Sequence, residues 1–408
     1  MTQPRLAPKM GLLGNGVIMM ALIDHMKKEL SALKPSDILA FNQEISQIPD
    51  IIQLTLGEPD FNTPDHVKLA AIGAIQQNNS HYTASAGLPG LRQAASDFLF
   101  NKYGTRYDPA TQLQMTAGVT EGVYATLTAI LNPGDSVIIP TPIFPLYIPI
   151  TMLNGGEPVF VNTADDGFIL DPEKLAAAIE AHQDSVKAIV LNFPTNPTGV
   201  TYSRSDLEKI AAVVRGKDIF VISDEIYSEL TYTSTHVSMG EILPEQTIVL
   251  NGVSKSHAMT GWRIGLVAGP ADIMAKIGMV HQFMITSATT NAQVAAEEAF
   301  KNGQDDAAPM RRAYIERRDY LVPALQKMGF TVAKPDGAFY VFAKIPDRFG
   351  HSSWDFARAL AHEARVAVIP GASFGPGGDG YIRISYAASM DQIKTAVQRI
   401  AEFMAQHQ

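Results

Sequence analysis

Between Gln112 and Gly252 the chain repeats one phrase: a short apolar run, a turn of glycine, proline or asparagine, and a stretch with helical spacing. The runs include the strand-like residues 112–116 and the segments NPGDSVIIPTPIFPLY, VKAIVLNFPTNPTG, DIFVISDEIYSEL and TIVLNGVSK. Short β-branched runs bounded by breakers read as buried strands. Strands separated by helices do not meet as hairpins, and they pair in parallel beneath helices on both faces. The alternation predicts an α/β fold. It also predicts where the chemistry lies, because in such sheets ligands bind beyond the carboxyl ends of the strands.

Four chemically capable residues fall at those ends. Taken singly, Asn196 reads as a turn former, Asp224 as a helix cap and Tyr227 as a packed aromatic. Lys255 stands in NGVSKSHAMTGWRIG, just past the apolar run Thr247, Ile248, Val249 and Leu250, with Arg263 eight positions later. A lysine in a cleft beside another cation loses its proton readily and becomes a nucleophile, whereas on an open loop it is only a surface charge.

Other segments carry weaker signals. TAGVTEG turns through Gly118 into a helix with Thr120 near its start, and free amides at a helix N-terminus suit a phosphate. Phe144 and Tyr147 sit in a proline-rich loop, where an aromatic stacks on a flat ring or packs in the core. Gly57, in LGEPDF, permits close backbone approach or simply makes a turn. Tyr82 lies on a polar loop. Arg383 alternates with Ile382 and Ile384, so its side chain points to the opposite face of its strand.

Composition excludes several classes. The 408 residues include 32 basic and 41 acidic, a formal charge of −9, with no basic block, so nucleic acid and anionic membranes are not expected partners. The absence of cysteine removes disulfides, thiolate metal sites and a cysteine nucleophile. The apolar run at residues 10–23 follows Arg5 and Lys9 as in a signal peptide. Asn15 interrupts it, no small-residue cleavage site follows, and it is too short to span a bilayer. It is expected to be an extension, with Met19, Met20 or Met26 as alternative starts. Beyond Phe300 a long polar helix, the turn and strand KPDGAFYVFAKI, and VAVIPGASFG followed by YIRISYA suggest a second, α+β unit.

The set resembles the class I/II branch of the fold type I, pyridoxal-phosphate-dependent aminotransferases. The landmarks are LGEPDF at 56–61, Tyr82 with GLPGLR at 87–92, NPTG at 196–199, SDEIY at 223–227, SKSHAMTGWRIG at 254–265, and Arg383. They occur in the family's order and span nearly everything after about Ile38.

The resemblance implies a large domain, residues 71–304, with a mostly parallel seven-stranded sheet sandwiched by helices. Residues 37–70 with 305–408 would form a smaller α+β domain, and 1–36 an N-terminal extension and arm. It implies pyridoxal 5′-phosphate joined to Lys255 as a Schiff base, with the same lysine then shuttling a proton. Asp224 would pair with the pyridine nitrogen, and Asn196 and Tyr227 with the phenolic oxygen. Arg263, Ser254, the amides of Val119 and Thr120, and Tyr82 from the other subunit would hold the phosphate, and Phe144 would stack on the ring. Arg383 would grip the substrate α-carboxylate, helped by Gly57 and Asn196. One departure is Gly252, where many relatives carry a serine that contributes a phosphate contact.

The implied enzyme is a cytoplasmic homodimer with shared active sites that moves an amino group from an amino acid to a 2-oxo acid such as 2-oxoglutarate. The phrases IIQLTLGEPDF, VLNGVSKSHAMTGWRIG and PDGAFYVFAKI look most like bacterial aromatic amino acid aminotransferases. N-acetyl-diaminopimelate or aspartate as substrate, or a β-lyase using the same chemistry, are the alternatives. A non-enzymatic regulator would need a DNA-binding module that the segment before Asp37 is too short and too weakly basic to supply.

Overall fold

The computed structural model describes the pairs Leu12–Leu13 and Val17–Ile18 and residues 22–33, 35, 37–233 and 235–407. Most of the apolar run at 10–23, with Met19 and Met20, lies outside the described residues.

The repeated phrase folds into a seven-stranded sheet: β1 Leu113–Thr116, β2 Ser136–Thr141, β3 Glu157–Asn162, β4 Val186–Asn192, β5 Phe220–Asp224, β6 Thr247–Gly252 and β7 Gly265–Ala268. Their order across the sheet is β1-β7-β6-β5-β4-β2-β3. The pairs β2·β3, β2·β4, β4·β5 and β5·β6 are parallel. Only β7 runs against its neighbours β1 and β6. A parallel return needs a helical crossover. Residues 253–264, between β6 and β7, contain only the 3-10 turn Thr260–Trp262, so β7 comes straight back beside β6.

Side chains alternate between two apolar layers as a period of two requires. Val137, Ile139, Val190 and Ile222 pack on one side, under the helices Val119–Ile130 and Ala271–Ile285. Ile138, Ile189, Leu191 and Val221 pack on the other, under the helices Pro172–Ala181 and Arg204–Val214. Each fully buried aliphatic side chain in these layers contributes about 1.5–3 kcal/mol relative to exposure. Together the layers fix the register and hold the strand ends in place.

The strand β3 is not anticipated by the sequence. It is an edge strand with a mixed burial pattern and a proline at 158, a place where a missing N–H is tolerated.

The remaining chain builds a four-stranded antiparallel sheet of β8 Thr331–Val332, β9 Tyr340–Lys344, β10 Ile369–Pro370 and β11 Tyr381–Ser385, ordered β8-β9-β11-β10. The helices Ala307–Lys327, Ser353–Ala364 and Met390–Gln406 cover it. Early residues join this unit. Phe41 and Ile45, from the helix Asp37–Ile45, share its core with Phe330, Phe356 and Ile384. Of the strand expected around residues 51–56, only Ile52–Gln53 pairs, and it does so in parallel with Val366–Ala367. No helix among the described residues is long and apolar enough to cross a membrane.

Candidate active site

A cavity of about 420 Å³ opens at the carboxyl ends of β4, β5 and β6, against β9 and β11 of the smaller sheet. Strand topology decides this location. Because β1 lies parallel to β6 across the antiparallel β7, the turn after β1, the start of β7 and the ends of β5 and β6 share one edge.

Lys255 stands three residues past β6 and donates from Nζ to the Gly57 carbonyl at 2.5 Å. Burial pushes its amine down to about 8, with Arg263 and Arg383 pushing the same way against the carboxylate of Glu58. That places a neutral, nucleophilic amine within reach of neutral pH.

Asp224 is the last residue of β5 and is buried. Its Oδ2 accepts the Tyr147 hydroxyl at 2.7 Å and its Oδ1 the Ile226 N–H at 3.1 Å. Burial raises its carboxyl to about 6 despite those bonds and the pull of Lys255, while Glu225 adds to the rise. A carboxylate so placed has an unmet preference for a cationic partner.

Asn196 lies beyond β4, its N–H donating to Asn192 Oδ1 at 3.1 Å. Asn192 in turn donates from Nδ2 to the Asp224 carbonyl at 3.2 Å, tying the ends of β4 and β5 together. Tyr227 meets the Tyr340 hydroxyl at 2.8 Å, and burial raises its phenol well above the ordinary range.

Arg383 is 2% exposed, on the cavity side of β11. Its Nη1 donates to Asn196 Oδ1 at 2.9 Å and its Nη2 to the Thr55 carbonyl at 2.6 Å, while Nε has no partner. Its guanidinium lies over the Tyr340 ring, 4.6 Å from the centroid. Burial lowers the affinity of this arginine for its proton. Among the described residues it forms no ion pair, unlike Arg317 with Asp60 or Arg318 with Asp336. A buried, charged fork that lacks an anion has the geometry to take a carboxylate.

The turn after β1 forms a further part of the wall. The helix Val119–Ile130 starts after Gly118, so the first amides of Val119 and Thr120 have no intrahelical acceptor. Arg263 comes from the start of β7 in a left-handed conformation, φ 54°, and donates from Nη1 to the Thr260 carbonyl at 2.9 Å. Gly118 has φ 78°, and a Cβ there would lie 2.2 Å from Arg263 Nη2. The turn, the helix amides and the cation are therefore packed into one small cradle, and Ser254 lines the same cavity.

These features fit pyridoxal 5′-phosphate. The cradle offers amides and a cation to a phosphate, Asp224 offers an anion to a protonated ring nitrogen, Phe144 offers an aromatic face, and Lys255 offers its amine.

The structure thus brings Lys255, Val119, Thr120, Phe144, Asn196, Asp224, Tyr227, Ser254, Arg263, Gly57 and Arg383 around one cavity. Tyr82 is not among them. The residue is 85% exposed and lines a separate surface depression with Ser287 and Thr290. The serine that many relatives carry at the position of Gly252 would have no room here: a Cβ on Gly252 would lie 2.8 Å from Gly265 Cα and 2.9 Å from the Ile264 carbonyl.

Sequence reasoning missed Tyr340 and the Glu58–Thr260 hydrogen bond of 3.0 Å, and it gave Tyr147 no partner. A buried tyrosine in an apolar strand carries no sequence mark of its hydroxyl's partner. Tyr147, three residues after Phe144 and the first residue of the helix Tyr147–Leu153, was open to detection.

Residues 49–400 match the family described as aminotransferase class I and II. A probable N-acetyl-LL-diaminopimelate aminotransferase of Bacillus subtilis (strain 168) is 46% identical over 369 residues, 90% of this chain and 93% of that one. Among solved structures, the Thermus thermophilus aspartate aminotransferase with maleate superposes with a TM-score of 0.88 at 36% identity, over 92% of this chain and 99% of that one. The aromatic aminotransferase of Pyrococcus horikoshii OT3 superposes with a TM-score of 0.84 at 37% identity, over 90% and 99%.

Proposed function

The chain belongs to the class I and II aminotransferases and is a pyridoxal-phosphate-dependent enzyme, and from that premise we propose that its amino donor carries an aromatic side chain and its acceptor is a 2-oxo acid. The observation that carries the amino-acid and 2-oxo-acid part of the reading is Arg383, a buried fork without an anion, on the same cavity as Lys255. A carboxylate held there shares the cavity with the cradle at Val119, Thr120 and Arg263 and with the Lys255 amine.

When bound, pyridoxal phosphate supplies an electrophilic carbon for an amine and a ring that accepts the electron pair left by a departing α-proton. Lys255 Nζ anchors it, then acts as the base that takes the α-proton and the acid that returns it. Asp224, held by Tyr147 and the Ile226 amide, keeps a proton on the ring nitrogen. Asn196 and Tyr227 steady the ring oxygen, Phe144 its face. Arg263, Ser254 and the amides of Val119 and Thr120 hold the phosphate. Gly57 and Asn196 help Arg383 orient the substrate.

The donor assignment rests on charge. The cations lining the cavity among the described residues are Lys255, Arg263 and Arg383, each with a role above, and the rest of the wall includes Ile38, Leu56, Phe144 and Leu146. A distal carboxylate would find no further cation among the described residues that line this cavity. N-acetyl-LL-diaminopimelate is the second reading, favoured by the name of the 46% identical relative.

The test is a donor panel of phenylalanine, tyrosine, aspartate and N-acetyl-LL-diaminopimelate with 2-oxoglutarate, compared by kcat/KM. Aromatic donors are expected to lead. A clear lead by either of the others would overturn the donor assignment and leave the reaction untouched.

The working molecule we propose is a cytoplasmic homodimer in which Tyr82 completes the partner's phosphate site. Its support is that Tyr82 is exposed and distant from its own cavity, and that the nearby helix Asp65–Gln76 leaves Leu69, Ile72 and Ile75 exposed. We divide the chain into an arm at 1–36, a small domain of 37–70 with 305–408, and a large domain at 71–304. The shared core of Phe41, Ile45, Phe330 and Phe356 supports that grouping.

A further inference from the structure

Behind the phosphate cradle lies a buried pair that does not line the cavity. Glu121 is the third residue of the helix Val119–Ile130, and its carboxylate folds back on the turn, Oε2 accepting the Ala117 N–H at 3.1 Å. Both carboxylate oxygens also face His281 Nδ1, at 3.1 and 3.2 Å. His281 comes from the neighbouring helix Ala271–Ile285 and is fully buried, while Glu121 is 8% exposed. The His281 Nε2 has no partner. The ring's hydrogen bonding is therefore directed to Glu121, in the tautomer that carries its proton on Nδ1.

Two consequences follow for the turn. Ala117, Gly118, Val119 and Thr120 are consecutive, so anchoring the Ala117 amide fixes the aim of the two amides that open into the cavity. A carboxylate in the first turn of a helix is also a like charge to any phosphate at that N-terminus. His281 faces both oxygens of this one on the side away from the cavity, and without it only the Ala117 N–H would restrain the carboxylate from turning toward the anion.

We propose that Glu121 and His281 are a positioning pair for phosphate recognition: the carboxylate sets the turn at residues 117–120, and the imidazole keeps the carboxylate directed away from the bound anion. The inference rests on assigning the cofactor phosphate to the cradle of Val119, Thr120 and Arg263. Neither residue touches the substrate, so the pair governs how tightly the phosphate is held and leaves the chemistry at Lys255 alone.

The test is titration of the full-length protein, freed of cofactor, with pyridoxal 5′-phosphate and in parallel with pyridoxal, which lacks the phosphate. Glu121→Ala and His281→Leu are expected to raise the Kd for pyridoxal 5′-phosphate about tenfold or more and to leave that for pyridoxal unchanged. Glu121→Gln keeps an acceptor for Ala117, and His281→Gln keeps a donor for Glu121, so each should recover most of the loss. If the truncations do not fold, these two variants carry the test, with affinities between wild type and Arg263→Ala expected. Ile400→Ala, buried in the small unit, controls for general destabilisation and should change neither Kd.

Unchanged affinity for pyridoxal 5′-phosphate in the pair variants, with Arg263→Ala still weakening it, overturns this inference alone. Unchanged affinity in Arg263→Ala overturns the phosphate assignment beneath it. Equal loss of both ligands, or a loss matched by Ile400→Ala, makes the pair a general structural element and also overturns the inference.

Discussion

At the residue scale the site is built from groups whose protonation the fold has moved, and two predictions follow from their directions. Lys255 has its pKa pushed down to about 8 from an ordinary lysine value, chiefly by burial. Attachment of the cofactor needs the neutral amine, so the association rate with cofactor-free protein should rise with pH and level off above about 8. Stopped-flow absorbance measures it, and a rate still climbing at pH 10 would show an unshifted lysine. Lys255→Ala should bind the cofactor without a covalent bond and have no turnover. Asp224 has its pKa raised to about 6, so its folded state prefers the protonated form. The stability this gives is present at low pH and is lost as pH rises from about 4 through 6, leaving a buried charge above. Cofactor-free Asp224→Asn should accordingly melt higher than wild type at pH 7, with the gain shrinking toward pH 4, while its cofactor affinity falls. A lower melting temperature for the variant at pH 7 would contradict this account of the charge. Lys255 and Asp224 were legible in the sequence because Asp224 ends an apolar run and Lys255 follows closely on another. Tyr340, whose hydroxyl meets Tyr227, was not, since nothing around it in Ala338–Lys344 marks which strand it will face.

At the element scale, the cradle depends on β6 and β7 approaching closely where Gly252 pairs with Gly265. A Cβ on Gly265 would lie 2.6 Å from the Val119 nitrogen, so this glycine also lets β7 press against the turn after β1. Gly252→Ser, which would introduce the serine common among relatives, should therefore cost about 1–3 kcal/mol of stability through overpacking and fail to tighten cofactor binding. Thermal unfolding and a cofactor titration check both halves. The sequence exposed Gly252 as a departure. Only the cross-strand register showed that the position has no room for the missing hydroxyl. The antiparallel direction of β7 was equally hidden, because it depends on the loop at 253–264 lacking a helix to carry the chain across the sheet.

At the scale of the whole molecule, the cavity exists only where the two sheets meet. Lys255 and Asp224 come from the large sheet, and Tyr340 and Arg383 from the small one. If the proposed dimer shares its sites, mixing inactive Lys255→Ala with Tyr82→Ala under exchange conditions should yield turnover above that of either variant alone, since each hybrid holds one intact site. Activity equal to the sum of the separate variants would place Tyr82 outside the partner's site. The sequence by itself determined the α/β class, the parallel strands and the residues at their ends, because a period of two, a helical period and glycine or proline turns are local signals that burial enforces. Tertiary structure alone decided the antiparallel β7, the edge strand β3, the pairing of Ile52–Gln53 with Val366–Ala367, and the partners of Asp224, Tyr227 and Arg383. These depend on contacts between residues far apart in the chain, where the free energy lies in the fit of one element against another and leaves no periodic trace in either.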